Sequence, residues 1–412
     1  MRVLILEQRH DGGHYLNWVK FVVLSLVDLA SEIVVGVPAA AKDSLQYKLA
    51  LAPIEDRFRP YDLPGDRPAN RFKMIKRHAT ITSQAIEEVQ PDALYLPTGD
   101  GVVDAINLAQ VLGHNVLRKL EHSEVLLMRR PAAYGIPDQR VPGLIGNLSV
   151  RVGRWSRVLA IDPVVYRWLK NDCGTRIAAR AVLAPDPVDS FAPIERDEAR
   201  CLIGLPHAGR IISSLGLQEV RKGADLLLQA FLSADLRSTD HLLLAGPVAG
   251  EVQSALKTAR ESISDPSRIH VIDRYLSNEE LHQCACASDL IAVPTRAVAQ
   301  PSSIAIRSIP AQRPVITNNK GWFAYMVPKF QLGLMCDVEN IEEFAALLPN
   351  ALERAGNYQV STAGKRLIEY QQPENFIATW RSGLAEKMGK TGGALRTWDW
   401  VLEATEPDAN GG

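Results

Sequence analysis

The chain has 412 residues, of which 46% are hydrophobic and 23% charged, and its formal net charge is -1. That length exceeds what one hydrophobic core fills and suits two domains of similar size. A near-neutral chain has no global field to draw it to nucleic acid, and its apolar runs fall short of the ~18 residues that a membrane span requires.

Val3 to Leu6 is a short apolar strand that meets a charged residue at once, unlike a signal peptide. After it, EQRHDGGHYLNWVKFVVLSLVDLA passes into a helical pattern. Gly12, Gly13 and His14 stand between strand and helix. Glycines there let a ligand approach the backbone, and His14 is a candidate acid, base or donor, or else a surface or capping residue. The pair lacks the spacing of a GxGxxG dinucleotide fingerprint. Glu32 to Val37 reads as a strand. The helix Arg71 to Val89 carries Lys73, Lys76 and Arg77 on what its alternation makes a wet face. Ala93 to Pro97 is a strand, and TGDG turns into the helix Val102 to Leu112, with Asp100 either a turn residue or a contact to a sugar hydroxyl.

Glu124 to Met128 is another strand, ending in Arg129 and Arg130. Two guanidiniums there either grip an anion or pair with neighbouring acids. From Arg118 to Arg180 there are twelve Lys and Arg against five Asp and Glu. This local excess marks a solvated surface, an anionic acceptor or an acidic membrane face. The strand Arg157 to Ile161, the helix Pro163 to Leu169 and the strand Ala181 to Leu183 complete an alternation that builds a parallel, doubly wound sheet. The proline-dense APDPVDSFAP then reads as a domain connection, with Asp186 and Asp189 ordering it or facing a ligand.

The second half repeats the alternation. Arg210 to Ser214 is a strand, and GLQEVRKGADLLLQAF leads from it into a helix, with Lys222 and Gly223 at the loop-to-helix junction. A lysine at a helix start opposes the dipole, which favours a ligand role. Strands follow at His241 to Gly246 and Ile269 to Ile272. Ser277 to Glu280 is a capping box. The stretch DLIAVPTRAVAQPSSIAIRSIPAQRPVI reads as strand, polar loop, a helix opening near Ser302 and a further strand; Ser302 and Ser303 can cap that helix or donate to a phosphate. A loop holding Gly321 and Trp322, the strand Gly333 to Cys336, the helix Ile341 to Ala355 and two last helices precede a Gly-rich, acidic tail. The cysteines Cys173, Cys201, Cys284, Cys286 and Cys336 fit neither metal nor disulfide spacing, so reduced thiols and a cytoplasmic setting are expected.

From Arg157 to about Tyr370 the chain resembles the retaining, nucleotide-sugar-dependent glycosyltransferases of the GT-B fold, the large family of lipid, polysaccharide and sucrose-type transferases. APDPVDSFAP, ARCLIGLP, SSLGLQEVRKGADLLLQAF, HLLLAGP, RYLSNEELHQCACASDLIAVP and PVI carry the likeness in order. The first half is similar more weakly, through its Gly12 and Gly13 loop. The resemblance implies an α/β protein of two Rossmann-like doubly wound domains facing across a cleft. It makes residues 1–184 the acceptor side and 185–370 the nucleotide-sugar domain. A C-terminal helix, 371–390, would return to the first domain, ahead of a loosely ordered tail, 391–412.

It also implies a metal-independent transfer from a nucleotide diphosphate sugar to a polysaccharide, lipid-linked or small-molecule acceptor, with no other cofactor. Nucleic acid is not an expected partner; contact with the inner membrane face is. By the family pattern Gly216, Lys222, Ser302, Ser303 and Arg307 hold the donor, and Gly12, Gly13, His14, Arg129 and Arg130 line the acceptor side. Where the family has a diphosphate arginine this chain has Leu217, and where it has two glutamates eight residues apart it has Ala299 and Arg307. Such losses cost on the order of 2 to 3 kcal/mol each in an unmodified site. Either the donor site has been rebuilt, with Arg296 and Arg307 adding positive charge, or the chain is a GT-B-shaped scaffold in polysaccharide assembly. A nucleotide-sugar epimerase of this fold would need acid and base carboxylates that find no position here.

Overall fold

The computed structural model describes residues 1–9, 15–65, 70–135, 149–390 and 398–403. They form two units, Met1–Pro187 with Pro373–Leu402, and Val188–Gln372 with the last residues of the chain. The first holds β1 (Arg2–Leu6), β2 (Glu32–Pro38), β3 (Arg59–Leu63), β4 (Ala93–Leu96), β5 (His122–Leu127), β6 (Arg157–Ala160) and β7 (Ala181–Leu183). Their order is β3-β2-β1-β4-β5-β6-β7, and every pairing is parallel. Successive side chains of a strand face opposite ways, so Val3 and Ile5 enter the core under the helix Tyr15–Leu26, and Leu4 and Leu6 the core under the helices Arg71–Val89 and Asp100–Val111. Both faces are covered, as parallel sheets require.

The sequence reading passed over β3. Its Pro60 and polar residues hide it, and it is tolerated because it pairs only with β2, at the sheet edge. Arg77 also departs from expectation: it is buried rather than on the wet face, with Nη2 donating to Pro64 O at 2.5 Å.

The helix Pro373–Lys387 belongs to this first unit. Phe376 packs beside Trp18 and Phe21, and Trp380 beside Tyr95. Beneath it, Arg157 bridges buried Glu124 (3.1 Å) and Thr379 O (3.1 Å), and His122 completes the cluster 2.7 Å from Glu124. Farther on, where loose chain was expected, residues Asp399–Val401 make a turn with Val401 fully buried.

The second unit holds β8 (Ile211–Leu215), β9 (His241–Ala245), β10 (Ile269–Ile272), β11 (Leu290–Val293), β12 (Val315–Asn318) and β13 (Gly333–Cys336), in the parallel order β10-β9-β8-β11-β12-β13. One face is packed by the helices Ala224–Ser233, Gly250–Ser262 and Ile341–Ala355. The segment around Trp322, expected as loop, is the helix Gly321–Phe330, whose Gly321 and internal Pro328 disguise it. The predicted capping box is present, with Ser277 and Glu280 exchanging side-chain and backbone hydrogen bonds. Among the described residues no helix is long and apolar enough to cross a membrane.

Candidate functional site

In the second unit the strand order reverses between β8 and β11. The loops leaving two such strands diverge to opposite faces, and the crevice between their carboxyl ends is where ligands of open α/β sheets bind. Gly216, Leu217 and Lys222 are on the loop after β8, and Ala299 and Ser302 on the loop after β11. Topology therefore gathers residues that are some eighty positions apart in the chain.

Gly216 turns left-handed at φ +86°, and its N–H donates to Ala245 O at 2.8 Å. Behind it Gln218 is fully buried, its amide nitrogen donating to Ser214 O (3.0 Å) and Gly216 O (2.7 Å), which fixes the loop from within. Lys222 ends a single helical turn and is partly exposed. At Gly223, φ is +77° and an added Cβ would lie 1.9 Å from Pro294 O, so the turn is seated directly on the loop after β11.

Arg296 fastens the two loops. Its guanidinium meets both oxygens of Asp225 at 2.8 Å and reaches Val220 O, its backbone N–H donates to Arg221 O at 3.0 Å, and Thr295 Oγ1 donates to the same carbonyl at 3.1 Å. This corrects the expectation that Arg296 adds positive charge for a phosphate: Asp225, with Glu339 at 3.7 Å, offsets it.

Ser302 caps the helix Ser303–Arg307, accepting from Ala305 N at 3.4 Å. That helix has five residues, fewer than the sequence suggested, so its dipole is small. Ile304 lies 3.8 Å from where a Cβ on Gly216 would stand, which brings this helix to the loop after β8. Arg307 donates to Asn278 Oδ1 at 2.9 Å, and Asn278 in turn to Asp189 of the connecting segment. Leu217 is 47% exposed.

In the first unit the order reverses between β1 and β4. Gly12, Gly13 and His14 lie outside the described residues. Beside them, Glu7 is buried and accepts from Arg9 N (2.8 Å) and from Thr98 Oγ1. Asp100 accepts from the backbones of Met128 and Arg129 at 3.0 Å each, and Arg9 lies 3.9 Å from it while stacking on Tyr15. Arg129 reaches the Tyr15 hydroxyl at 3.3 Å. Arg130 is 6% exposed and meets both oxygens of Asp104 at 3.1 and 3.0 Å, bracing the helix Asp100–Val111 from inside.

Thr82 gives its one hydroxyl proton to His78 O (2.8 Å), so Gln8 must donate to Thr82 (2.9 Å) and turn its oxygen to His78 Nδ1 (2.7 Å). The proton of neutral His78 is thereby assigned to Nδ1. Asp162 caps the helix Pro163–Asn171, accepts from Tyr134, and is pushed up to about 6 by burial, which outweighs those hydrogen bonds. Among the described residues no group of three or more His, Cys, Asp or Glu is placed to hold a metal ion.

The fold is of the GT-B type. It is shared with sucrose-phosphate synthase from Thermosynechococcus elongatus (TM-score 0.71, 12% identity, 94% of this chain and 99% of that one). The lipopolysaccharide glycosyltransferase WaaG (TM-score 0.65, 12%, 94% and 100%) and Anabaena HepE with UDP-glucose (TM-score 0.64, 16%, 94% and 99%) share it too. Within it, residues 209–354 match the family described as "Glycosyl transferases group 1". Curated relatives include the D-inositol 3-phosphate glycosyltransferases of Mycolicibacterium smegmatis (27% identical, 40% of this chain, 38% of the relative) and Rhodococcus opacus (27%, 53% and 48%). These matches span less than half the length of either relative.

Sequence reasoning missed Gln218, Asp225, Asn278 and the Glu7–Thr98 contact. Only the capping box at Ser277, which places Asn278 at a helix start, gave any signal for them.

Proposed function

We propose that the chain is a metal-independent glycosyltransferase that moves a sugar from a nucleotide diphosphate donor to a polysaccharide, lipid-linked or small-molecule hydroxyl, with retention. The observation that carries this reading is the reversal of strand order between β8 and β11, where Lys222 and the Ser302–Ser303 hydroxyls sit on the two loops that flank it. Lys222 offsets diphosphate charge as the glycosidic bond breaks, and the serines donate to its oxygens. Gly216 keeps the loop low enough for the donor to approach, and Arg307 acts on the donor through its bond to Asn278. On the acceptor side, Gly12, Gly13 and His14 line the approach and Arg129 with Arg9 suits an anionic group. The names of the curated relatives, transferases to an inositol phosphate, support an acceptor that joins hydroxyls to a phosphate.

Thermal shift against UDP, GDP and ADP, free and sugar-linked, tests the reading. A ligand at a hundredfold its Kd stabilises by about 2.7 kcal/mol, and silence across the panel would overturn it. Lys222→Ala is expected to lose most of the shift, and EDTA to leave turnover unchanged.

The replacements Leu217, Ala299 and Arg307 favour a second reading, a scaffold that binds partners in polysaccharide assembly without transfer. Donor hydrolysis separates the two: absence of turnover in both wild type and Lys222→Ala, with partner binding kept in both, decides for the scaffold.

A further inference from the structure

The first unit carries a basic surface at the amino ends of its strands, away from the crevice. Residues 149–180 hold seven Arg and Lys against Asp162 and Asp172, and Asp162 is buried. Arg151, Arg154, Lys170 and Arg176 are exposed. Three of them are tied together through backbone carbonyls. Arg151 donates to Asp172 O, Arg176 to Arg151 O at 2.7 Å, and Lys170 to Ala178 O at 2.9 Å. A carbonyl accepts the hydrogen bond but leaves the charge standing, so four cations share this surface with one exposed carboxylate. The whole chain has a net charge of -1, so the remainder is acidic and a charged plane would turn this side toward itself.

Next to the cations stands an apolar tip. The helix Asp100–Val111 runs back from the carboxyl end of β4 to the same edge, and Trp155 Nε1 donates to Asn107 Oδ1 at 3.0 Å, locking that helix to the basic segment. At its end Val111 is 63% and Leu112 77% exposed, with no covering element among the described residues. Neighbouring uncompensated cations and bare aliphatics match a single kind of surface. Lipid phosphates take up the charge and the interfacial layer the aliphatic side chains, whereas a polynucleotide offers Val and Leu no place.

We infer that Arg151, Arg154, Lys170 and Arg176, with Val111 and Leu112, form a docking face for an anionic phospholipid bilayer. It stands or falls independently of the transfer reading, because binding is read without substrate.

The test is co-sedimentation of the full chain with vesicles of phosphatidylcholine alone and with about one third phosphatidylglycerol, at low and high salt. Expected is pelleting with the anionic vesicles only, falling at least about fivefold between ~0.05 and ~0.5 M salt. Arg154→Glu with Lys170→Glu should abolish it, and Leu112→Asp should weaken it severalfold; these side chains are exposed, and unchanged melting confirms that the variants fold. No pelleting, or equal pelleting on neutral vesicles, overturns the inference. So does tight binding to duplex DNA that Leu112→Asp leaves unchanged, which would make the face a polyanion site.

Discussion

At the scale of single residues, Arg296 shows how a side chain that invites a ligand role is claimed by its own fold. Its bidentate bond to Asp225, its reach to Val220 O and the Thr295 bond to Arg221 O hold the Lys222 turn against the loop after β11. Arg296→Ala is expected to lower stability by about 1–3 kcal/mol, since it strips a half-buried carboxylate of its partner. Asp225→Asn should lower it less, and the double variant should fall short of the sum because both remove one interaction, which chemical denaturation will measure. Asp162 gives a pH signature. Its folded value stands at about 6 against 3.8 unfolded, so the folded state keeps the proton longer. Stability from this group is therefore full below about pH 4 and is lost as pH rises through about 6, on the order of 3 kcal/mol in all. Asp162→Asn, which keeps a capping oxygen, should flatten that part of the stability profile.

At the scale of elements, the C-terminal helix Pro373–Lys387 is legible as amphipathic, but its seat is not. At Gly383 an added Cβ would lie 1.8 Å from Glu124 Oε1 and 2.1 Å from Arg157 Nη1, so the glycine lets the helix settle on a buried ion pair. Gly383→Ala should cost several kcal/mol despite its better helix propensity, because it displaces charges that have no water to turn to. A calorimetric melt that rises instead would contradict this packing account. Elements that announce themselves, such as the capped helix Asn278–Ala287, were read correctly because the signal is local. The helix Gly321–Phe330 was not, since its glycine and proline read as loop while its stabilisation comes from buried Trp322 and Phe323.

At the scale of the whole molecule, the chain folds as two units whose boundary in sequence is not a single cut, since Pro373–Leu402 returns to the first. Truncation after Gln372 would bare Trp18, Phe21 and Tyr95, which now pack on Phe376 and Trp380. The truncated chain is therefore expected to aggregate on size exclusion, although the second unit keeps all its strands. The alternation of strand and helix, both parallel sheets and the proline-rich connection were determined by the sequence alone, because periodicity and turn chemistry act over a few residues. Which residues meet was decided only by the tertiary structure. Arg296 found Asp225, Arg130 found Asp104, and Arg307 found Asn278 rather than open solvent, because strand order places loops together that the chain keeps far apart. A charge in a sequence has no partner until the sheet has chosen its neighbours.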